Sequence, residues 1–117
     1  MQDIIRCTVD ADGIALLTID YPGKTMNVID QAFMDSLSAG IERVAADPAI
    51  QGAIITSGKD AFVAGADLIG MESTLDSMDG LPAEVLFEKC ASLSKLLRRM
   101  ETCGKPWVSA INGTCMG

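Results

Sequence analysis

The chain has 117 residues, of which 49% are hydrophobic and only 4% aromatic, and its net charge is −7. This length and composition predict one small domain with an aliphatic core and exclude a disordered chain. The acidic balance, without a long basic run, argues against binding to nucleic acid phosphates but leaves room for a local anion site.

The residue types also exclude several kinds of site. The chain has no histidine, which removes a Ser-His-Asp or Cys-His arrangement within it, and its four cysteines form no CxxC pair. We therefore expect no metal site. The start lacks a signal-peptide pattern and no apolar run reaches the length of a bilayer span, so a cytoplasmic protein without a membrane span is expected.

The first third of the chain predicts a hairpin followed by a helix. Apolar residues in Ile4–Val9 and Ile14–Ile19 flank an Asp/Gly turn, which is typical of an antiparallel pair. A helix is predicted to begin at Asp30 and to stop near Asp47-Pro48. Its apolar stripe has spacings of three and four and consists of Phe33, Leu37, Ile41 and Val44.

The remaining elements complete an α/β order. A strand is predicted over Ile50–Thr56, with Ala53-Ile54-Ile55 as its buried centre, and an exposed acidic loop over residues 72–80. A helix then starts near Leu81-Pro82 and ends at Gly104, and a buried strand follows over Lys105–Ile111. The apolar stripe predicted for this helix comprises Val85, Leu86, Cys90, Leu93, Leu97 and Met100. The order β-β-α-β-α-β predicts an α/β fold.

The stretch Ser57–Met71 is the first candidate site. Ala64-Gly65-Ala66 removes side chains from the backbone, and Asp67 stands where a helix N-cap is expected, so free amides there suit an oxygen that carries negative charge. A tight surface turn that only caps a helix is the alternative.

A second glycine-containing loop, Asn112–Gly117, follows the last predicted strand. It matches neither GxGxxG nor a phosphate-binding loop, and by itself it is typical of a structural turn. The strands before the two loops can neighbour each other in a parallel sheet, however, which places both loops at one edge. Two backbone amides can then converge on one oxygen.

These two segments together, AFVAGADL at residues 61–68 and KPWVSAINGTCMG at residues 105–117, resemble the crotonase (enoyl-CoA hydratase/isomerase) superfamily. The likeness covers essentially the whole chain and implies a crotonase-like α/β fold built of ββα units. The long segment between Met71 and Glu84 is similar to that of the multifunctional fatty-acid oxidation α-subunit.

The resemblance implies that the chain binds an acyl-CoA thioester. The Ala66 N–H is expected to be one of two oxyanion donors to the thioester carbonyl. Lys24 is expected to attract a phosphate of CoA, with an ordinary solvated lysine as the alternative. The residues implied to contact CoA or substrate are Lys24, Met26, Val28, Ala64, Gly65, Asp67, Leu68 and Gly117.

The resemblance also implies that residues 1–117 lack some of the catalytic groups of the family. The second oxyanion donor and both catalytic glutamates of the family are expected beyond Gly117, and neither Glu72 nor Glu101 stands at a catalytic position. We therefore expect residues 1–117 to be the N-terminal part of a single crotonase-like domain, truncated inside the active-site turn and inactive alone. One face of its sheet and helices is expected to expose a large apolar patch.

The predicted function is that of an enoyl-CoA hydratase of β-oxidation, which adds water to a 2-enoyl-CoA. No cofactor is expected for these residues, and NAD only if a 3-hydroxyacyl-CoA dehydrogenase domain is fused downstream. A homo-oligomer or a multienzyme complex is expected. Alternatives are enoyl-CoA isomerisation, thioester hydrolysis or a non-catalytic acyl-CoA-binding module.

Overall fold

The computed structural model describes residues 3–116, apart from the side chain of Ile69, and it has the predicted α/β architecture. A hairpin, a helix, a strand, two helices and a short strand follow one another along the chain. Their bounds are β1 (Ile5–Val9), β2 (Ile14–Ile19), α1 (Gln31–Ala46), β3 (Gly52–Ser57), α2 (Leu68–Met78), α3 (Ala83–Thr102) and β4 (Trp107–Ser109).

The strands form one sheet in the order β1-β2-β3-β4. β1 and β2 pair antiparallel, which confirms the predicted hairpin, and Asp10 shapes the turn between them by accepting hydrogen bonds from the amides of Asp12 and Ile14, each 2.9 Å long. β2, β3 and β4 run parallel to one another. The predicted parallel pairing of β3 with β4 is therefore confirmed.

The core lies between α1 and one face of this sheet. Alternate residues of β2 point into it, and Ala15 and Leu17 are completely buried. All members of the predicted α1 stripe are buried. Burial of each such aliphatic or aromatic side chain stabilises the fold by about 1.5–3 kcal/mol relative to leaving it exposed. Asp30 caps the helix by accepting the Phe33 amide at 2.9 Å, and the helix ends just before Asp47-Pro48, as predicted.

The opposite face of the sheet is open. Leu16, Ile54 and Val108 stand side by side across β2, β3 and β4, and Leu16 and Val108 are 39% and 59% exposed. Ile54 is only half-buried, so its predicted place in a buried centre is wrong. The predicted burial of the last strand is also wrong, because nothing in the described part of the chain covers this face. The expected apolar patch is confirmed.

The helix α3 has the predicted extent but not the predicted packing. No described residue of α3 is buried, and Leu97, in the predicted stripe, is 48% exposed. The α3 side chains that pack against the core are Met100, which the predicted stripe includes, and Leu96, which it does not. An ion pair between Arg99 and Glu42, with a shortest N–O distance of 2.8 Å, links α3 to α1.

Two further sequence predictions are corrected. The segment predicted as a loop over residues 72–80 is helical as far as Met78, with Met71, Leu75 and Met78 at helical spacing between the acidic residues. The last strand is only three residues long, shorter than the predicted Lys105–Ile111. No helix within residues 3–116 is long and apolar enough to cross a bilayer.

Candidate functional site

A short parallel ladder brings the two predicted CoA-contacting segments together. The Ala64 amide donates to the Asn27 carbonyl at 2.8 Å, the Ile29 amide to the Gly65 carbonyl at 2.8 Å, and the Asp67 amide to the Ile29 carbonyl at 3.2 Å. The segment around Met26 and Val28 therefore lies beside residues 64–67. The resemblance implies that both segments contact CoA, and the ladder shows that they pair directly with each other.

The ladder fixes the direction of the Ala66 N–H. In a trans peptide group the C=O and the following N–H point in opposite directions. Because the Gly65 carbonyl points to Ile29, the Ala66 N–H points away from residues 27–29. Gly65 allows this turn with φ of +97°, a conformation that favours glycine, and Ala66 itself is exposed.

The second loop packs on the opposite side of the same segment. The Thr114 carbonyl accepts hydrogen bonds from the amides of Phe62 and Val63 at 2.8 and 3.2 Å, and the Met116 amide donates to Val63 at 2.9 Å. Gly113 allows this approach, since a Cβ atom there would stand 2.0 Å from the Asp60 carbonyl oxygen. The predicted placement of both loops at one edge of the sheet is confirmed, and the convergence of two amides on one oxygen stays a prediction. Gly117 lies outside the described residues.

A cavity of about 580 Å³ opens beside Ala66, between the start of α1 and the helices α2 and α3. Its apolar lining includes Ile29, Met34, Met71, Met78 and Val85. Asp67 and Leu68 stand at the start of α2, and Leu68 is 77% exposed. Because Ala66 lines this cavity together with apolar side chains, a polar oxygen bound beside Ala66 can carry an apolar chain.

Lys24 lies in an anchored loop. The Lys59 ammonium donates to the Lys24 carbonyl at 2.7 Å and pairs with Asp20 at 3.0 Å. This contact, with a further contribution from Arg6, holds the pKa of Asp20 below its ordinary value. The Lys24 ammonium stands 5.2 Å from the centre of the Tyr21 ring and remains half-exposed. Its cation is thus held against the Tyr21 ring.

Two groups that hold the site together were missed by sequence reasoning. Asn27, read only as part of a turn, is completely buried and hydrogen-bonded on both ends of its amide group. Tyr21 donates its hydroxyl to Asp30, which, with burial and the charges of Asp30 and Asp67, raises the pKa of Tyr21 to about 12. A spacing of six residues between Tyr21 and Asn27 carries no periodic signal, so only the fold reveals these contacts.

Glu72, Glu88 and Glu101 are all exposed, and two of them are ion-paired. Glu72 is exposed on α2, and Glu101 pairs with Arg98 at 2.9 Å in the last turn of α3. Glu88 lines the cavity and pairs with Lys95. The structure therefore gives Glu72 and Glu101 surface positions, as the sequence predicted for them.

Comparisons with known proteins agree with this geometry. The family model for enoyl-CoA hydratase/isomerase matches residues 10–117. The fatty acid oxidation complex subunit alpha of Shewanella amazonensis is 38% identical over 107 residues, which are 91% of this chain and 14% of that protein. The protein of the same name from Shewanella halifaxensis is 36% identical over 118 residues, 100% of this chain and 16% of that protein. The chain thus spans about one seventh of these relatives.

Solved structures show the same fold. An enoyl-CoA hydratase from Shewanella pealeana superimposes with a TM-score of 0.78 at 19% identity, over 92% of this chain and 38% of that one. A probable enoyl-CoA hydratase from Mycobacterium smegmatis gives a TM-score of 0.76 at 25% identity, over 96% of this chain and 42% of that one. The crotonase-like fold class is confirmed. That residues 1–117 form the N-terminal part of one domain stays a prediction.

Proposed function

The chain belongs to the enoyl-CoA hydratase/isomerase family, and on this premise we propose that it provides the thioester-binding part of an enoyl-CoA hydratase. The reaction adds water across the double bond of a 2-enoyl-CoA to give a 3-hydroxyacyl-CoA. The relatives named as fatty acid oxidation complex subunit alpha favour hydration in β-oxidation, within a multienzyme complex, over the other reactions of the family.

The direction of the Ala66 N–H carries this proposal. Addition of water to the double bond places negative charge on the thioester oxygen, and an amide that already points at that oxygen stabilises the charge by roughly 3 kcal/mol. The neighbouring cavity gives an acyl chain an apolar place to lie. Ala66 is exposed and lines this cavity, which supports the placement of an enoyl thioester here.

We assign the CoA part of the thioester to the residues that the ladder brings together. The ammonium of Lys24 attracts a phosphate, while Met26 and Val28 on one segment and Ala64, Gly65, Asp67 and Leu68 on the other border the CoA groove. Gly117 is proposed to border it from the second loop. We assign no cofactor to residues 1–117, and NAD belongs to the proposal only through a fused dehydrogenase domain.

The acid and base are proposed to come from outside residues 1–117. Hydration requires a positioned proton donor and acceptor as well as a polarised carbonyl. Glu72 and Glu101 are exposed, and Glu101 is already paired with Arg98. Residues 1–117 are therefore expected to bind the thioester without hydrating it.

A substitution at Ala66 tests the role of its amide. Ala66→Pro removes the N–H, and we expect a fall of about 10²–10³-fold in kcat for hydration of crotonyl-CoA. The measurement is the loss of enoyl absorbance, made with the complete natural polypeptide that contains residues 1–117. Ala66→Ser is the matched control, because it changes the same exposed position and keeps the N–H.

The outcomes separate the alternatives. Near-normal turnover of Ala66→Pro would overturn the oxyanion role of Ala66. A wild-type polypeptide that binds crotonyl-CoA but forms isomer or free CoA would replace hydration by isomerisation or thioester hydrolysis. Binding without any turnover would favour the non-catalytic acyl-CoA-binding module.

A further inference from the structure

A buried pair of polar side chains, Asn27 and Ser57, lies behind the Ala66 segment. Asn27 is completely buried and Ser57 is 6% exposed, and they are the only polar residues classed as buried in the described part of the chain. The Asn27 Nδ2 donates to the Ser57 hydroxyl at 2.9 Å. Buried polar groups are costly unless they are hydrogen-bonded, so the polar atoms of this pair each require a partner within the protein.

Asn27 uses both ends of its side chain. Its Oδ1 accepts the Tyr21 amide at 2.9 Å, and the two hydrogens of its Nδ2 serve the Ser57 hydroxyl and the Phe62 carbonyl, both at 2.9 Å, with a longer contact to the Ile19 carbonyl at 3.3 Å. These partners lie at the end of β2, in the loop after it and in the segment that leads to Ala66. One side chain therefore fixes three stretches of backbone relative to one another.

Ser57 extends the network to the loop after β3. Its hydroxyl donates to the Ala61 carbonyl at 2.7 Å and accepts the Lys59 amide at 2.9 Å, so it fixes the turn that precedes Ala64. Its backbone carbonyl accepts the Asn112 side-chain amide at 2.9 Å. Ser57 thus contacts both loops that meet at the candidate site.

The network reaches Ala66 through the backbone of residues 27–29. The Asn27 carbonyl holds the Ala64 amide, and two residues later Ile29 holds the Gly65 carbonyl, both at 2.8 Å. That second bond sets the plane of the peptide group that carries the Ala66 N–H. A shift of residues 27–29 must therefore rotate or displace this N–H.

We propose that Asn27 and Ser57 form a positioning pair that aims the Ala66 N–H at the thioester oxygen. The inference rests on the proposed oxyanion role of Ala66. Neither side chain touches the substrate, and both act through the ladder. A donor misplaced by a fraction of an ångström still binds the ground-state thioester but stabilises the charged transition state less. Loss of the pair therefore lowers kcat more than it raises KM.

Matched serine substitutions test the pair in the complete natural polypeptide. Ser57→Ala removes the hydroxyl of the network, while Ser36→Ala removes a part-buried hydroxyl of α1 that accepts the Ile5 amide of β1 at 3.2 Å. We expect kcat for crotonyl-CoA to fall about 10–100-fold in Ser57→Ala with KM changed less than about threefold. Ser36→Ala is expected to keep wild-type kcat, and Ser57→Thr, which retains a hydroxyl, to recover most of the lost rate.

A spectroscopic readout separates positioning from general destabilisation. The infrared carbonyl stretch of bound butyryl-CoA reports the hydrogen bond to the thioester oxygen. We expect the stretch to move toward its frequency in free butyryl-CoA in Ser57→Ala, to stay at its wild-type frequency in Ser36→Ala and to return in Ser57→Thr. Unchanged kcat and stretch in a folded Ser57→Ala, or equal losses in the two alanine variants, would overturn the proposal.

The positioning pair and the proposed function fail in different ways. If the wild-type polypeptide neither hydrates crotonyl-CoA nor shifts the carbonyl stretch of butyryl-CoA, the oxyanion role fails and the positioning role with it. If the wild type does both and Ser57→Ala does the same, only the positioning role fails.

Discussion

At the scale of single residues, Tyr21 and Asp30 connect a helix cap to the candidate site. One carboxylate oxygen of Asp30 accepts the Phe33 amide and starts α1, and the other accepts the Tyr21 hydroxyl. The same carboxyl group therefore orders both the helix and the loop that leads to Lys24. Sequence reasoning placed the start of the helix at Asp30, because Asp before an apolar stripe is a local pattern. It did not identify the hydroxyl contact, which depends on how the loop folds back.

The titration of Tyr21 tests this contact. The chain has a single tyrosine, so the phenolate absorbance of residues 1–117 reports one group. The hydrogen bond to Asp30, burial and nearby charge raise the pKa of Tyr21 to about 12, and we expect the absorbance to titrate there. Because folding raises this pKa, the stabilisation is complete below the ordinary value of about 10 and is lost as the pH rises through about 12.

Asp30→Asn provides the control for this titration. Asparagine also caps helices well, so α1 is expected to remain while the negative partner of the hydroxyl is removed. The pKa of Tyr21 should then fall toward about 10. A pKa that stays near 12 in a folded Asp30→Asn variant, with folding followed by circular dichroism, would contradict the assigned cause.

At the scale of elements, Lys105, the first residue of the family-like segment 105–117, stabilises the fold through its contacts with α1. Its ammonium donates to the carbonyl of Val44 at 2.6 Å and also to that of Asp47, at the C-terminal end of α1. The last carbonyls of a helix lack partners within the helix and carry partial negative charge, so a cation there is stabilising. Lys105 therefore fastens the start of β4 to the end of a helix that is distant in sequence.

Removal of this ammonium is expected to loosen the end of α1. Lys105→Met should lower the free energy of local opening by about 1–2 kcal/mol and so speed amide hydrogen exchange about 5–30-fold in the last turn of α1. Hydrogen exchange of the complete natural polypeptide, read by mass spectrometry, measures this. Lys89→Met, at an exposed position on α3, is the matched control and should leave that turn unchanged. Equal exchange in both variants would contradict the capping role.

The helices α1 and α2 also show when sequence patterns alone are enough to predict a helix. α1 was predicted to within a residue because its apolar stripe, its cap and Asp47-Pro48 all agree. The helix α2 was missed because polar residues surround Met71, Leu75 and Met78, and its side chains are largely exposed. A helix that buries little shows a weak pattern. The meeting of the two loops was predictable only because parallel strands end at one edge, whereas the Asn27 network depends on tertiary contacts that no local sequence pattern encodes.

At the scale of the whole molecule, the open sheet face is the feature of residues 1–117 that most favours self-association. Leu16, Ile54 and Val108 form an apolar row across β2, β3 and β4. Further large apolar side chains are exposed on the helices and on the last loop, including Phe87 at 66% and Ile111 at 59%. Patches of this kind drive association unless another surface covers them. The net charge of −7 opposes association only by long-range repulsion.

We therefore expect purified residues 1–117 to self-associate, and charges placed on the open row to reduce the association. Leu16→Lys with Val108→Lys puts two ammonium groups where burial against a second apolar surface would be costly. Sedimentation velocity over a range of concentrations should show a smaller weight-average mass for this variant than for the wild type. Ser73→Lys with Ser94→Lys is the control, because it makes the same change in net charge at exposed polar positions on α2 and α3. If the control dissociates as much as the row variant, net charge rather than the open face governs association. If neither variant differs from the wild type, the contact lies elsewhere, and Phe87 on α3 is the next position to test.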